Sequence, residues 1–208
     1  YLETTDIAES ELDFIGKVLE TKTTHIKTGQ PNDIITFDKF EYDHADRLLT
    51  QKQQINDQPE ELIAKNHYDE LGQLETKDIG HTEASPLQKV DYTYNVRGWL
   101  KNINDPMLGL GEDLFSMELS YNDDGSRLYN GNISKIEWKT ANDNTNRYYN
   151  YYYDDLNRIT NSYYSSWNQN SRFNEGSISY DKNGNIQRLF RRGAIVDQPD
   201  VKNSSHYG

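Results

Sequence analysis

The string YDELGQL (68–74) does not stand alone. Its counterparts are LDFIGKV (12–18), YDHADRL (42–48), YNVRGWL (94–100), YNDDGSR (121–127), YDDLNRI (153–159) and YDKNGNI (180–186). The seven copies start 30, 26, 26, 27, 32 and 27 residues apart. A recurrence of about 20–50 residues marks a stacked array of small units, so it constrains the fold more than any composition does.

Each column has a physical reason. The second position is always Asp or Asn: Asp13, Asp43, Asp69, Asn95, Asn122, Asp154 and Asp181. The fifth is Gly16, Asp46, Gly72, Gly98, Gly125, Asn157 and Gly184. Gly, Asn and Asp tolerate positive φ best. Asp or Asn, followed three residues later by a left-handed residue, predicts a type I turn closed by a G1 bulge. That is a common three-residue hairpin loop. So 65–77, helix-like in composition, is read as two strands and a turn.

The loop fixes the faces. Tyr68 lies opposite Leu74, and opposed residues share a face. The first column (Tyr42, Tyr68, Tyr94, Tyr121, Tyr153, Tyr180) and the last (Val18, Leu48, Leu74, Leu100, Ile159, Ile186) therefore form one apolar wall. Alternation extends it backwards through Phe40, Tyr92, Leu119, Tyr151 and Ile178. One copy is irregular, with Arg127 where an aliphatic belongs. Either Leu128 takes over through an extra residue, or Tyr129-Asn130-Gly131 makes a second tight turn.

The predicted fold is all-β: repeated antiparallel hairpins forming a curved sheet ribbon, one array over residues 1–208 with no visible boundary. The connections are polar and turn-rich, hence rim loops. PEELIAKN (59–66) reads as one helical turn after Pro59. Leu, Ile, Val and Phe total 43 of 208 residues, close to the roughly 20% line below which charged chains stay disordered. Sixteen Tyr and three Trp move the expectation to a folded protein with a thin, aromatic core. A slice of open sheet leaves two edges, an aggregation hazard.

The Tyr-Asp-x-x-Gly-[Arg/Lys/Gln]-[Leu/Val/Ile] unit resembles the YD repeat of Rhs proteins, also found in toxin-complex C components and teneurins. The resemblance covers nearly all of 10–190. VDYTYNVRGWLKNINDP (90–106) and DLFSMELSYN (113–122) resemble Rhs-type proteins of the Bacteroidota. It implies a hairpin ribbon coiled into a hollow shell, which in bacterial members encloses a C-terminal toxin or serves adhesion. Seven repeats are too few for such a shell, so the chain is expected to be a fragment of its wall. The expected partners are the rest of that shell, an enclosed effector, a glycan or surface protein, or the type 9 secretion machinery that exports it as cargo. The expected location is secreted or cell-surface. The family's self-cleaving end carries an Asp-Pro motif. Asp105-Pro106 is followed by further hairpins, so it is read as a loop.

Nothing points to catalysis. His25, His44, His67, His81 and His206 lack metal-ligand spacing. DKNGN (181–185) starts like a calcium loop, but its Gly is misplaced and Arg192 stands where a Glu should close it. It is read as a hairpin turn, as is NDDG (122–125). There is no phosphate loop, dinucleotide fingerprint or nucleophile elbow, and no cofactor is expected. A net charge of −12 with no basic stripe repels nucleic acid. No apolar run is long enough for a membrane helix. With no Cys there is no disulfide or thiolate chemistry. No leader pattern is visible, and a chain beginning at Tyr1 reads as a processed product or a piece of something longer. Two readings of the aromatics stay open. Trp138, Tyr149, Tyr151 and Trp167 form a sugar-stacking platform, or YYNYYY (148–153) is a strand whose Tyr149, Tyr151 and Tyr153 face one way and Tyr148 and Tyr152 the other.

Overall fold

The computed structural model describes residues 3–107, 109–121, 128–166 and 172–193, and residues 203–207 as a strand. Among them there is no helix. The chain divides into two compact units, Tyr1–Asp91 and Tyr92–Gly208.

In the first unit the strands are β1 (Thr4–Leu12), β2 (Val18–Lys27), β3 (Ile34–Tyr42), β4 (Leu48–Ile55), β5 (Glu61–Tyr68), β6 (Leu74–Thr82) and most of β7 (Ser85–Tyr94). The end of β7 belongs to the second unit. There it pairs with β8 (Leu100–Ile103), and β9 (Phe115–Ser120), β10 (Lys135–Thr140) and β11 (Arg147–Tyr153) follow. The unit continues with β12 (Ile159–Ser166), β13 (Glu175–Tyr180), β14 (Ile186–Gly193) and β15 (Asn203–Tyr207). Within each unit every strand pairs antiparallel with its neighbour in sequence, without crossovers. The stretch after Pro59 is not a helical turn. Glu61 onward is β5, whose Lys65 and Ala64 pair with Thr50 and Gln51. Cross-strand pairing outweighs the helix propensity of a short Glu/Leu/Ala run.

Six of the seven loops lie in described residues and are alike. At Asp69 the amide donates to the Gln73 carbonyl at 2.9 Å, and the Gly72 amide donates back to the Asp69 carbonyl at 3.0 Å. The fifth residue of each of the six has φ between 62° and 91°. Each hairpin then skips one residue. Tyr68 pairs with Leu74 but His67 pairs with Thr76, leaving Glu75 unopposed, and the other five repeat this with Leu19, Leu49, Lys101, Thr160 and Gln187. Such a bulge bends the strand and increases its twist.

The core is thin. In the first unit Leu62 is the one buried large hydrophobic among the described residues, and all nine residues of β1 are exposed. The second unit buries Leu110, Leu119, Tyr121 and Tyr164. In the irregular copy, Tyr129-Asn130 forms a tight turn with Gly131 at φ 95°. The wall position passes to Ile133, whose carbonyl is used by the next hairpin as described below.

Candidate functional site

Each described loop is built on its second residue. One side-chain oxygen of Asp13, Asp43, Asp69, Asn95, Asp154 and Asp181 accepts the amides two and four residues later, at 2.8–3.0 Å. In three of these loops the second oxygen also holds the sixth residue. In Asp43 it takes Arg47 Nε at 2.7 Å, in Asp154 Arg158 Nε at 2.8 Å, and in Asp181 Asn185 Nδ2 at 2.9 Å. These donors hold the three carboxyls below their ordinary range: chiefly the Arg47 amide for Asp43, the Arg158 guanidinium for Asp154 and the Asn185 side chain for Asp181. Asn122 and Gly125, expected to make the same turn, lie outside the described residues, as does Trp167.

Within each unit, hairpins are then joined to their predecessors. The hydroxyl of Tyr42 donates to the Val18 carbonyl, Tyr68 to Leu48, Tyr121 to Leu100, Tyr153 to Ile133 and Tyr180 to Ile159, at 2.7–3.0 Å. Every acceptor is the wall aliphatic of the preceding hairpin. Burial pushes Tyr121 and Tyr153 above the ordinary phenol value. The sixth residue closes the joint from outside. Lys17 lies over the Tyr42 ring at 5.2 Å, Arg47 over Tyr68 at 4.4 Å and Arg158 over Tyr180 at 4.5 Å. In the copy where Trp99 holds this position, its ring packs on Tyr121 with centroids 5.1 Å apart. The sequence shows the wall columns but not this lid, since Lys, Arg and Trp share no obvious chemistry until the next Tyr lies beneath them.

The hydroxyl bond is testable. Tyr153→Phe is expected to cost about 1 kcal/mol, because the Ile133 carbonyl loses its donor. Tyr68→Phe is expected to cost less, because Asn66 Nδ2 still donates to the Leu48 carbonyl at 2.9 Å. Urea unfolding midpoints of the two variants check the order.

Rim glutamates add a charge ladder in the first unit. Glu60 meets Lys39 at 2.8 Å, and Glu83 meets Lys52 and Lys65 at 2.7 Å each. The bonds from Lys52 and then Lys65 lower Glu83 from 4.5 to about 2. A depressed carboxyl stabilises the fold at pH above its unfolded value and loses that contribution as pH falls through its folded one. Wild type is therefore expected to lose more stability than Glu83→Gln between about pH 5 and pH 2. High salt should narrow the gap, because the pair is partly exposed. Chemical denaturation at the two pH values is the check.

In the second unit Trp138, Tyr149, Tyr151 and Tyr164 gather on the face of the Tyr column. Trp138 stacks on Tyr149 at 5.9 Å, and Tyr164 meets Tyr149 at 5.2 Å and Phe173 edge-on at 5.1 Å. Three of the four aromatics named from sequence as a platform are thus packed on one another. Tyr152 and Tyr163 stand on the opposite face, 51% and 45% exposed, with centroids 5.3 Å apart. Among the described residues no three of His, Cys, Asp and Glu converge to hold a metal ion, and none of the His lies in such a group. Among the described residues no helix is long and apolar enough to cross a membrane.

No family model matches the chain, and no curated protein matches it. Solved structures do. TcdB2-TccC3 without its hypervariable C-terminal region matches over 98% of this chain at 13% identity, with a TM-score of 0.55. This chain spans 12% of that one. TcdB2-TccC3-Cdc42 matches over 99% of the chain at 12% identity with a TM-score of 0.38, and here the chain spans 15% of its counterpart. The first likeness shows the fold: an Rhs-like run of antiparallel hairpins.

Proposed function

We propose that this chain is a wall segment of an Rhs-type shell and carries no catalysis of its own. The observation behind this reading is the hydroxyl-to-carbonyl bond that, within each unit, seats hairpins on their predecessors at Tyr42, Tyr68, Tyr121, Tyr153 and Tyr180. Such an array lengthens without any new kind of contact, which suits a large enclosing surface. The fold it shares with a small part of the TcdB2-TccC3 chain supports the same reading. On this view the source polypeptide is much longer, is secreted or displayed at a cell surface of a Bacteroidota-type bacterium, and encloses or presents a C-terminal effector. The intact polypeptide should have a mass far above 24.3 kDa, and electron microscopy should show hollow particles. A functional polypeptide of 24.3 kDa, or solid particles, would overturn it.

A second reading is adhesion, favoured by the exposed Tyr152–Tyr163 pair. Half-exposed rings on a sheet face suit stacking against a sugar. Binding to a glycan panel that Tyr152→Ala abolishes would support it, and a silent panel would count against it.

A further inference from the structure

The sequence holds two Asn-Gly pairs, Asn130-Gly131 and Asn183-Gly184. A glycine leaves the amide nitrogen after an asparagine uncrowded, and that nitrogen can attack the asparagine's side-chain carbonyl carbon. The two pairs differ in whether the fold ties the nitrogen down. Asn183 sits in one of the repeat turns. There the Gly184 amide donates to the Asp181 carbonyl at 3.2 Å, and the amides of Asn183 and Asn185 both donate to Asp181 Oδ1, at 2.8 and 2.9 Å. Asn130 sits in the extra turn of the irregular copy and is exposed. The Gly131 amide has no hydrogen-bond partner among the described residues.

The Asn130 side chain is also placed for attack. Its Oδ1 accepts the Asn132 amide at 3.1 Å. A bond to the amide two residues on folds the side chain back along the intervening peptide, beside the Gly131 nitrogen. The same N–H is a donor aimed at the oxygen on which negative charge develops when that carbon is attacked. Asn95 makes the matching bond to the Arg97 amide, but Val96 follows it, and a β-branched side chain crowds the nitrogen.

This turn carries a contact between hairpins. Arg97 Nη1 donates to the Tyr129 carbonyl, and Gly131 lies so close to Trp99 that a Cβ would stand 3.2 Å from its ring. On the other side Asn130 Nδ2 donates to Asn157 Oδ1. Residues 129–132 therefore bridge the 94–100 and 153–159 loops of the second unit, and Asn130 is a link to the later one.

We propose that Asn130-Gly131 is a self-modification site, where the chain deamidates without an enzyme and releases that link. Hydroxide takes the Gly131 amide proton, the nitrogen bonds to Asn130 Cγ, and the Cγ–Nδ2 bond breaks with loss of ammonia. Water then opens the resulting succinimide at either carbonyl, leaving aspartate or isoaspartate. Both products lack the Nδ2 donor, and aspartate sets a carboxylate oxygen against another acceptor, Asn157 Oδ1. Turning the Asn157 amide over restores a hydrogen bond to aspartate. Isoaspartate also lengthens the main chain of a tight turn by a methylene, which no side-chain rotation repairs.

Ageing the folded chain in mildly alkaline buffer and then digesting it with trypsin places the two pairs in separate peptides, 128–135 and 183–188. A zero-time digest subtracts conversion during digestion. Mass spectrometry should show the amide-to-acid change in 128–135 at least several-fold faster than in 183–188, and isoaspartyl methyltransferase should label the former. In urea the two rates should converge, because the bonds to Asp181 are gone. The urea midpoint should fall as wild type ages and hold constant in Asn130→Gln, whose longer side chain closes its ring far more slowly. Three outcomes would overturn the proposal: 183–188 converting as fast as 128–135 in the folded chain, 128–135 converting in urea alone, or an equal fall of the midpoint in aged Asn130→Gln.

Discussion

Truncating Tyr164 to Ala is expected to destabilise the second unit by about 3–5 kcal/mol, the range for removing a buried aromatic. Tyr164 is 6% exposed and is the hub of the aromatic group. It is the cross-strand partner of Tyr149, and its ring meets Trp138, Tyr149 and Phe173. A sheet with so thin a core cannot close over the space left behind, so the cavity contribution adds to the lost burial. Tyr152→Ala is the control, one strand away and half exposed, and is expected to cost less than about 1 kcal/mol. Near-ultraviolet circular dichroism during urea unfolding measures both. Equal costs would mean that the two faces are wrongly assigned.

That contrast shows where sequence reasoning stopped. The YYNYYY run predicts which tyrosines share a face, because alternation is a property of the strand itself. It does not say which face is covered. The cover here comes from Phe173 and Asn174, whose backbone and side chain bond Tyr149 and Tyr164 across a connection of no regular pattern. The turns are legible for the opposite reason. Asp69 and Gly72 act within five residues of each other, and their chemistry is local. The hydroxyl bonds span 20 to 24 residues and end on backbone carbonyls, which carry no sequence signature. A Phe would have served a purely apolar wall equally well, so the insistence on Tyr in that column is the clue available in retrospect. Ile133 was missed because its hairpin is longer than the period, and a fixed-length motif cannot follow it.

Gly72→Val is expected to cost about 1–3 kcal/mol, since a β-branched residue strongly resists the left-handed region. Gly72 sits at φ 83°. A Cβ there would also lie 2.8 Å from an Arg47 guanidinium nitrogen, which must swing away. Arg47 is the lid on Tyr68 and the partner of Asp43, so the substitution disturbs the joint between two hairpins as well as its own turn. Gly16→Val separates the two effects. Gly16 has φ 91° but nothing within 4 Å of its Cβ position, so that variant carries the backbone cost alone. The same turn position is held by Asp46 and Asn157 at φ 63° and 62°, so Gly16→Asn should be nearly neutral. The expected order of urea midpoints is wild type close to Gly16→Asn, then Gly16→Val, then Gly72→Val. In an Arg47→Ala background the two valine variants should cost the same, because the lid has already gone. An unchanged midpoint for Gly72→Val would overturn the turn assignment. A gap that survives in the Arg47→Ala background would show instead that Arg47 does not couple the hairpins.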